Sequence, residues 1–317
     1  MADPPLLRII VGPTASGKER LALDVASRIG AEIVSVDSMK IYKGLDVATA
    51  KAGEAEQRGV PHHCLDLVEP IEDFSAAEYV ARAEAAIADI AGRGKTPLLS
   101  GGTAFYYLAL LAGMFAGPGA DPAVRAELGK RAERDGVEAL HGELARLDPR
   151  AAEKIHPRDL RRLVRALEVI RVTGEAISSR QTQWAGFHGG GGGPLPPRPR
   201  HSFSMVRIVR DRGDLHRRIA ERIERMAKNG LREEAERAYA LRENLARTPL
   251  QAVGYKELFP YFSGEASWAD ALERLRLNTN RLVRKQETWF RKFPAVEIAL
   301  SGDDHGAAAA HLAEAWE

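Results

Sequence analysis

Along the first hundred residues, short apolar runs alternate with segments whose apolar positions recur at helical spacing. Leu6–Gly12 (LLRIIVG) is a run of strand type, and Lys18–Ile29 follows with Leu21, Ala22, Val25 and Ala26 on one face. Ala31–Asp37 (AEIVSVD) predicts a second strand and His63–Val68 (HCLDLV) a third. Ser75-Ala-Ala-Glu78 has the form of a capping box and opens a helix that runs to about Arg93. Thr96–Gly102 (TPLLSGG) predicts a fourth strand that ends in a glycine turn. Strand–helix alternation of this kind predicts an α/β fold, a parallel sheet flanked by helices.

The rhythm changes after Gly117-Pro118-Gly119. From Asp121 to Gly174 the pattern is helical throughout and includes Pro157–Thr173, with a proline suited to a first turn and a glycine just past the end. His188, five glycines and PLPPRPR (residues 194–200) read as a flexible piece followed by a stiff one. Strand character returns at Phe203–Val209, helices follow, and Ala295–Leu300 predicts a last strand. The expected organisation is therefore a core built from residues 1–117 and 201–317 with its C-terminal helices, interrupted at 118–200 by an all-helical insertion domain ending in a Gly/Pro-rich linker. The tail after Leu300 (SGDDHGAAAAHLAEAWE) carries no motif.

Composition narrows the class. The 317 residues are 44% hydrophobic and 28% charged, enough to bury a sizeable core. The longest apolar stretch, Tyr106–Gly117, is shorter than the roughly 20 residues of a bilayer span, and the opening MADPPLLRII lacks the form of a signal peptide. The single cysteine, Cys64, excludes an internal disulfide and a cysteine-built zinc site. These features predict a soluble, cytoplasmic protein. The net charge of +2 conceals an asymmetry: residues 1–149 carry 16 Lys/Arg against 22 Asp/Glu, and residues 150–317 carry 30 against 22. A basic second half suits a polyanionic partner, although solvated surface accounts for charge alone equally well.

Gly12-Pro-Thr-Ala-Ser-Gly17-Lys18 lies between a predicted strand and a predicted helix, the context of a phosphate loop. The loop's backbone N–H groups and the helix N-terminus face an anion there, and Lys18 offsets its charge. The motif usually ends in Ser or Thr, whose hydroxyl ligates magnesium; here Glu19 follows. A carboxylate can bind magnesium but repels a diphosphate. Asp37, at the end of the second strand, is a candidate general base or magnesium ligand at the sheet edge where open α/β folds bind ligands, or else the cap of the next turn. Gly101-Gly102-Thr103 sets a hydroxyl at the same edge.

Two basic helices complete the pattern. Arg274, Arg281, Lys285 and Lys292 are spaced 7, 4 and 7, so at about 100° per residue they share a stripe opposite Leu272, Leu275, Leu282, Val283, Trp289 and Phe290. Arg158, Arg161, Arg162 and Arg165 cluster against Leu160, Leu163, Leu167 and Ile170. Such stripes can track a phosphate backbone, and their number favours RNA.

GPTASGK, DSMKIYKGLDVATAK (37–51), PHH (61–63), FSAAEY (74–79), GGTAFY (101–106), IHPRDLRRLVRALEV (155–169), AVGYKEL (252–258) and KQETWFRKF (285–293) resemble, in this order, the motifs of tRNA dimethylallyltransferases, also called tRNA isopentenyltransferases. The resemblance implies transfer of a dimethylallyl group from dimethylallyl diphosphate to the exocyclic amine of the tRNA adenosine just 3′ of the anticodon. By residue, it implies diphosphate binding at Gly12, Pro13, Thr14, Ala15, Ser16, Gly17, Lys18 and Glu19, with Mg2+ as cofactor and Glu19 as its ligand. Asp37 matches the general base, Thr103 a threonine near the diphosphate and the attacked base, and Arg218 an arginine on the diphosphate, with Arg217 and Arg222 as rivals. Contacts to the anticodon loop are implied at Asp37, Ser38, Met39, Lys40, Thr103, Arg125, Leu163, Val164, Arg165, Ala166 and Leu167, and at Arg281 and Lys285 of the basic stripe. Lys40 and Val164 stand where the family commonly has glutamine, and Ala104 where it has glycine. The target base must be extruded from the loop to react. A monomer without a stable protein partner is expected.

Two other classes fit parts of this pattern. A P-loop kinase of a small metabolite shares the loop and the strand-end aspartate but leaves the basic helices unused, and Glu19 argues against a magnesium–ATP site. A non-catalytic RNA-binding protein with a relict loop is the other. Transfer of label from dimethylallyl diphosphate to RNA separates them.

Overall fold

A computed structural model describes residues 5–115, 117–181, 195, 199–302 and 305–317. The chain falls into two compact units, residues 1–111 with 200–317 and residues 112–199. Most of the linker expected at 188–200, including every residue from His188 to Pro194, lies outside the described residues.

The first unit is built on a six-stranded parallel sheet: β1 Leu7–Val11, β2 Glu32–Ser35, β3 His62–His63, β4 Pro97–Gly101, β5 Phe203–Val209 and β6 Val296–Ala299, in the order β3-β2-β4-β1-β5-β6. β1 is central. Its Ile9 pairs with Leu99 of β4 on one side and Met205 of β5 on the other, and Leu7, Ile9, Ile10 and Val11 have no exposed surface. A strand covered on both faces requires apolar side chains on both, and Arg8 alone interrupts the run, its guanidinium donating to the Trp316 carbonyl. At the edge, β6 leaves Val296 69% exposed.

Helices cover the sheet. Lys18–Ile29 buries Leu21, Ala22, Val25 and Ala26, and Ala76–Gly92 opens with the expected box, Ser75 Oγ accepting from the Glu78 N–H and the Glu78 carboxylate from the Ser75 N–H. Arg212–Lys228 and Trp268–Phe290 pack together through Leu215, Ile219, Ile223, Leu275 and Val283. The tail, in which the sequence offered no motif, forms the helix Gly306–Trp316. Its Ala309, Leu312 and Trp316 enter the core that includes Leu21 and Val25, and Trp316 Nε1 donates to Ser204 Oγ at 3.0 Å. Small residues separated by few large ones gave the tail little visible periodicity; the partner face of the Lys18 helix supplies the apolar surface that holds it.

Two expected element boundaries move by three residues or more. The third strand is His62–His63 rather than His63–Val68, because Cys64 and Asp66 take left-handed φ angles of 62° and 50° and turn the chain out of the sheet. The insertion helix begins at Leu160 rather than Pro157: Asp159 caps it, its carboxylate accepting from the Arg162 N–H at 3.1 Å.

The second unit is helical, with Pro122–Asp135, Val137–Leu147 and Leu160–Thr173 as its longer elements and Leu128, Leu140, Leu144, Leu163 and Leu167 in its core. Among the described residues no helix is long and apolar enough to cross a membrane.

Candidate active site

The strand order assembles the site. β4 lies between β1 and β2, so the loops that leave all three strands at their carboxyl ends meet: residues 12–17 after β1, 36–40 after β2 and 102–103 after β4. The phosphate loop joins β1 directly to the Lys18 helix. Gly17 is the N-cap at φ 88°, a left-handed conformation that favours glycine, and a Cβ on it would lie 2.3 Å from Nε2 of the buried His305 at the start of the tail helix and force that ring to move. Lys18 is 6% exposed, and its ammonium donates to the Pro13 carbonyl at 3.3 Å. Burial pulls the Lys18 pKa down, while Glu19 and Asp37 oppose the shift.

Other elements brace the loop. Gln286 of the Trp268 helix accepts from the Thr14 N–H at 2.8 Å and donates to the Gly102 carbonyl at 2.9 Å, tying the phosphate loop to the β4 turn. Arg218 Nε donates to the Ala15 carbonyl (2.9 Å) and Arg222 Nη1 to Thr14 Oγ1 (3.0 Å), one helical turn apart on the Arg212 helix. Arg210, following β5, donates to the Ser16 carbonyl at 2.7 Å. Arg217 instead forms surface pairs with Asp214 and Glu221. Of the three rival arginines, 218 and 222 touch the loop and 217 does not. Burial lowers the Arg222 pKa against the pull of Glu19 and Asp37, which marks it as part of the same charge cluster.

Asp37 follows β2 by two residues rather than closing it. Its Oδ1 accepts from the N–H groups of Met39 (2.9 Å) and Lys40 (3.4 Å), so the turn-capping role exists; Oδ2 accepts no hydrogen bond among the described residues. Thr103 Oγ1 accepts from the Ser38 N–H at 3.0 Å, and the Thr103 N–H donates to the Val36 carbonyl at 3.1 Å. Gly101 makes this crossing possible, since a Cβ there would lie 2.1 Å from the Val36 oxygen. Asp37 and Thr103 thus share one corner of the sheet edge.

Glu19 and Lys40 form an ion pair at 2.7 Å, with side chains 44% and 8% exposed. Desolvation works against the Glu19 carboxylate, but Lys40 and Lys18 outweigh it and hold the Glu19 pKa at about 2. A cavity of about 690 Å³ opens here, lined by Lys18, Glu19, Lys40, Arg218, Arg222 and Ser100 among others.

Sequence reasoning missed Gln286, although its motif was noted, and Glu234. Glu234, 2% exposed, accepts from the N–H groups of Asp46, Val47 and Ala48 and from the Tyr255 hydroxyl, fixing the loop whose Thr49 carbonyl accepts from Arg222. Nothing in a lone glutamate of an exposed-looking helix signals that role.

The remaining candidates belong to the Trp268 helix and to the second unit. Arg281 and Lys285 are exposed on the Trp268 helix, with Arg281 donating to Asn278. In the second unit Leu163, Ala166 and Leu167 have no exposed surface and Val164 is half-buried. Arg125 and Arg165 converge on the buried carboxylate of Glu168 at 2.7 and 2.6 Å. In the first turn of that helix Arg161 and Arg162 are exposed, as are Arg171 and Val172 in its last.

A glycine loop at a helix N-terminus, cations around it and a carboxylate at the rim are the arrangement of a P-loop α/β protein. Residues 40–293 match the IPP transferase family. The chain is 43% identical to the tRNA dimethylallyltransferase of Methylococcus capsulatus over 92% of its length and 91% of the relative's, and 39% identical to that of Bacillus subtilis over 89% and 87%. Its fold is similar to that of the tRNA isopentenylpyrophosphate transferase of Bacillus halodurans, with a TM-score of 0.69, 33% identity and coverage of 98% and 94%. The chain belongs to the IPP transferase family and is an enzyme of the prenyl-transferring class.

Proposed function

We propose that this enzyme transfers a dimethylallyl group from dimethylallyl diphosphate to the exocyclic amine of the tRNA adenosine 3′-adjacent to the anticodon. The reading is carried by one observation: Asp37 and Thr103 stand together beside a phosphate loop whose cations Lys18 and Arg222 both feel the Asp37 charge. The diphosphate sits on the loop N–H groups and Lys18, with Arg218 and Arg222 holding the loop in shape. As the amine nitrogen bonds to the allylic carbon, the carbon–oxygen bond to diphosphate breaks and the amine proton passes to Asp37. An adenine amine is a weak nucleophile because its lone pair is delocalised into the ring, so a hydrogen-bonded base speeds attack. Oδ1 is occupied by the turn and Oδ2 is available for that proton.

Magnesium fits the donor set. Among the described residues no three His, Cys, Asp or Glu side chains form a closed metal cage, and magnesium suits one or two carboxylates completed by phosphate oxygens and water. Glu19, ionised and half-exposed, would hold it, and the ion would offset charge on the leaving diphosphate. The exposed Arg281, Lys285, Arg161 and Arg162 supply the phosphate contacts to RNA, with the buried leucines holding the insertion helix in place. The core of residues 1–117 and 201–317 carries the chemistry and the insertion at 118–200 carries RNA contacts; the enzyme works as a cytoplasmic monomer. The test is transfer of label from dimethylallyl diphosphate to unmodified tRNA, followed by mapping of the labelled nucleotide. Label at the adenosine after the anticodon is expected; phosphoryl transfer from ATP to a small metabolite, or RNA binding without transfer, refutes the reading.

A further inference from the structure

The reaction as derived leaves the pairing of Glu19 with Lys40 unexplained, and the pair stands inside the phosphate cavity. Its two members are unequal. The Lys40 side chain is 8% exposed and its backbone N–H is held by Asp37, so it is anchored and desolvated. A buried ammonium needs an anion to remain charged, and its ion-pair partner is Glu19 at 2.7 Å. Glu19 itself is 44% exposed and stands in the first helical turn after Lys18, where a phosphate loop ordinarily carries a hydroxyl.

We propose that Lys40 is a second phosphate-binding lysine of this site, and that Glu19 is its internal counter-anion, occupying the ammonium until a diphosphate displaces it. This rests on the diphosphate reading above. Water re-solvates the half-exposed carboxylate when it leaves. The lysine only exchanges one anion for another. Without ligand, the cations Lys18, Lys40 and Arg222 face two carboxylates, Glu19 and Asp37; once Glu19 turns to solvent or to a cation, three positive groups face the diphosphate. The same pair explains why a carboxylate is tolerated in this turn at all. Glu19 without Lys40 would repel the ligand, and Lys40 without Glu19 would be a buried charge with no partner in the empty site. Lys40 therefore acts on the phosphate end of the substrate, not on the RNA.

Calorimetric titration of the full chain with inorganic diphosphate in the presence of EDTA tests this without magnesium and without turnover. Lys40→Gln should weaken diphosphate binding about tenfold and leave tRNA affinity in a filter-binding assay unchanged. Glu19→Gln should tighten diphosphate binding several-fold, because the internal competitor is gone. Glu19→Thr combined with Lys40→Gln removes both charges and should melt near the parent temperature, so a fold defect in either single variant is recognisable. Unchanged diphosphate affinity in Lys40→Gln, weaker binding in Glu19→Gln, or a loss confined to tRNA affinity in Lys40→Gln overturns the proposal. Lys18→Ala separates the two levels of inference. If it abolishes diphosphate binding while Lys40→Gln does nothing, only the role of Lys40 fails; if the parent chain binds no diphosphate, the functional reading fails with it.

Discussion

Replacing Asp37 by Asn separates its two roles. Oδ1 accepts from the Met39 N–H at 2.9 Å and the Lys40 N–H at 3.4 Å, and an amide carbonyl can do the same. Asp37→Asn should therefore keep the turn and its contact with Thr103, and the melting temperature should stay near that of the parent. Asp37→Ala loses both bonds; one is of normal length and the other is weak, so the cost is about 1 kcal/mol. In a unit of this size that lowers Tm by about 2–4 °C. Catalysis should respond differently. Asparagine cannot accept the amine proton, and general-base assistance typically gives about 10²–10⁴-fold, roughly 2.7–5.5 kcal/mol of barrier. Binding of diphosphate should not weaken, because Lys18 and Arg222 lose an opposing charge rather than a partner for the ligand. Single-turnover prenyl transfer at saturating tRNA, with thermal melting and diphosphate titration of both variants, measures all three quantities. A rate loss under tenfold in Asp37→Asn, or an Asn variant that melts as low as the Ala variant, would mean that Asp37 is only a turn cap.

Charge reversal at Arg281 and Lys285, both exposed, should weaken tRNA binding and flatten its log–log salt slope by roughly 0.7–0.9 per lost phosphate contact, leaving diphosphate binding intact; an unchanged slope makes the stripe solvated surface. Glu19→Thr should lower the magnesium concentration for half-maximal activity without changing the product, and coincident titration curves would count against any role of Glu19 near the ion. The Glu19 pKa is depressed from 4.5 to about 2, so the stability it contributes is present above about pH 4.5 and is lost as pH falls towards 2. Melting of parent and Glu19→Gln should therefore converge over that window, and a constant difference down to pH 2 would contradict the pairing. Trp316→Ala removes a side chain 6% exposed together with its bond to Ser204, and should cost about 3 kcal/mol in chemical denaturation; a cost below 1 kcal/mol would mean that the tail helix is not part of the core.

How much of this was legible beforehand follows from the range over which each feature is decided. β1, the phosphate loop and the Lys18 helix were readable to within a residue, because an apolar run, a glycine spacing and a helical period are local properties. So were β5 and the capping box at Ser75. Local signals misled where backbone strain ruled: Cys64 and Asp66 look like strand residues, and only their left-handed φ angles end β3. The candidate site divides in the same way. Lys18, Asp37 and Thr103 lie in motifs that announce themselves, whereas Gln286 reaches the phosphate loop from 272 residues away in sequence and Arg222 was only one rival among three until its guanidinium was found on Thr14. Glu19 was the residue least at home in its motif, and Lys40 an apparent RNA contact. Their pairing at 2.7 Å depends on β2 and β1 flanking β4, which no local pattern encodes. The sequence by itself determined most of the strands and helices and the glycine loop that follows β1, since those follow from spacing along the chain. Tertiary structure alone decided which charges neutralise one another and which helix covers the loop, because those depend on strand order, and strand order is set by burying all the apolar faces at once.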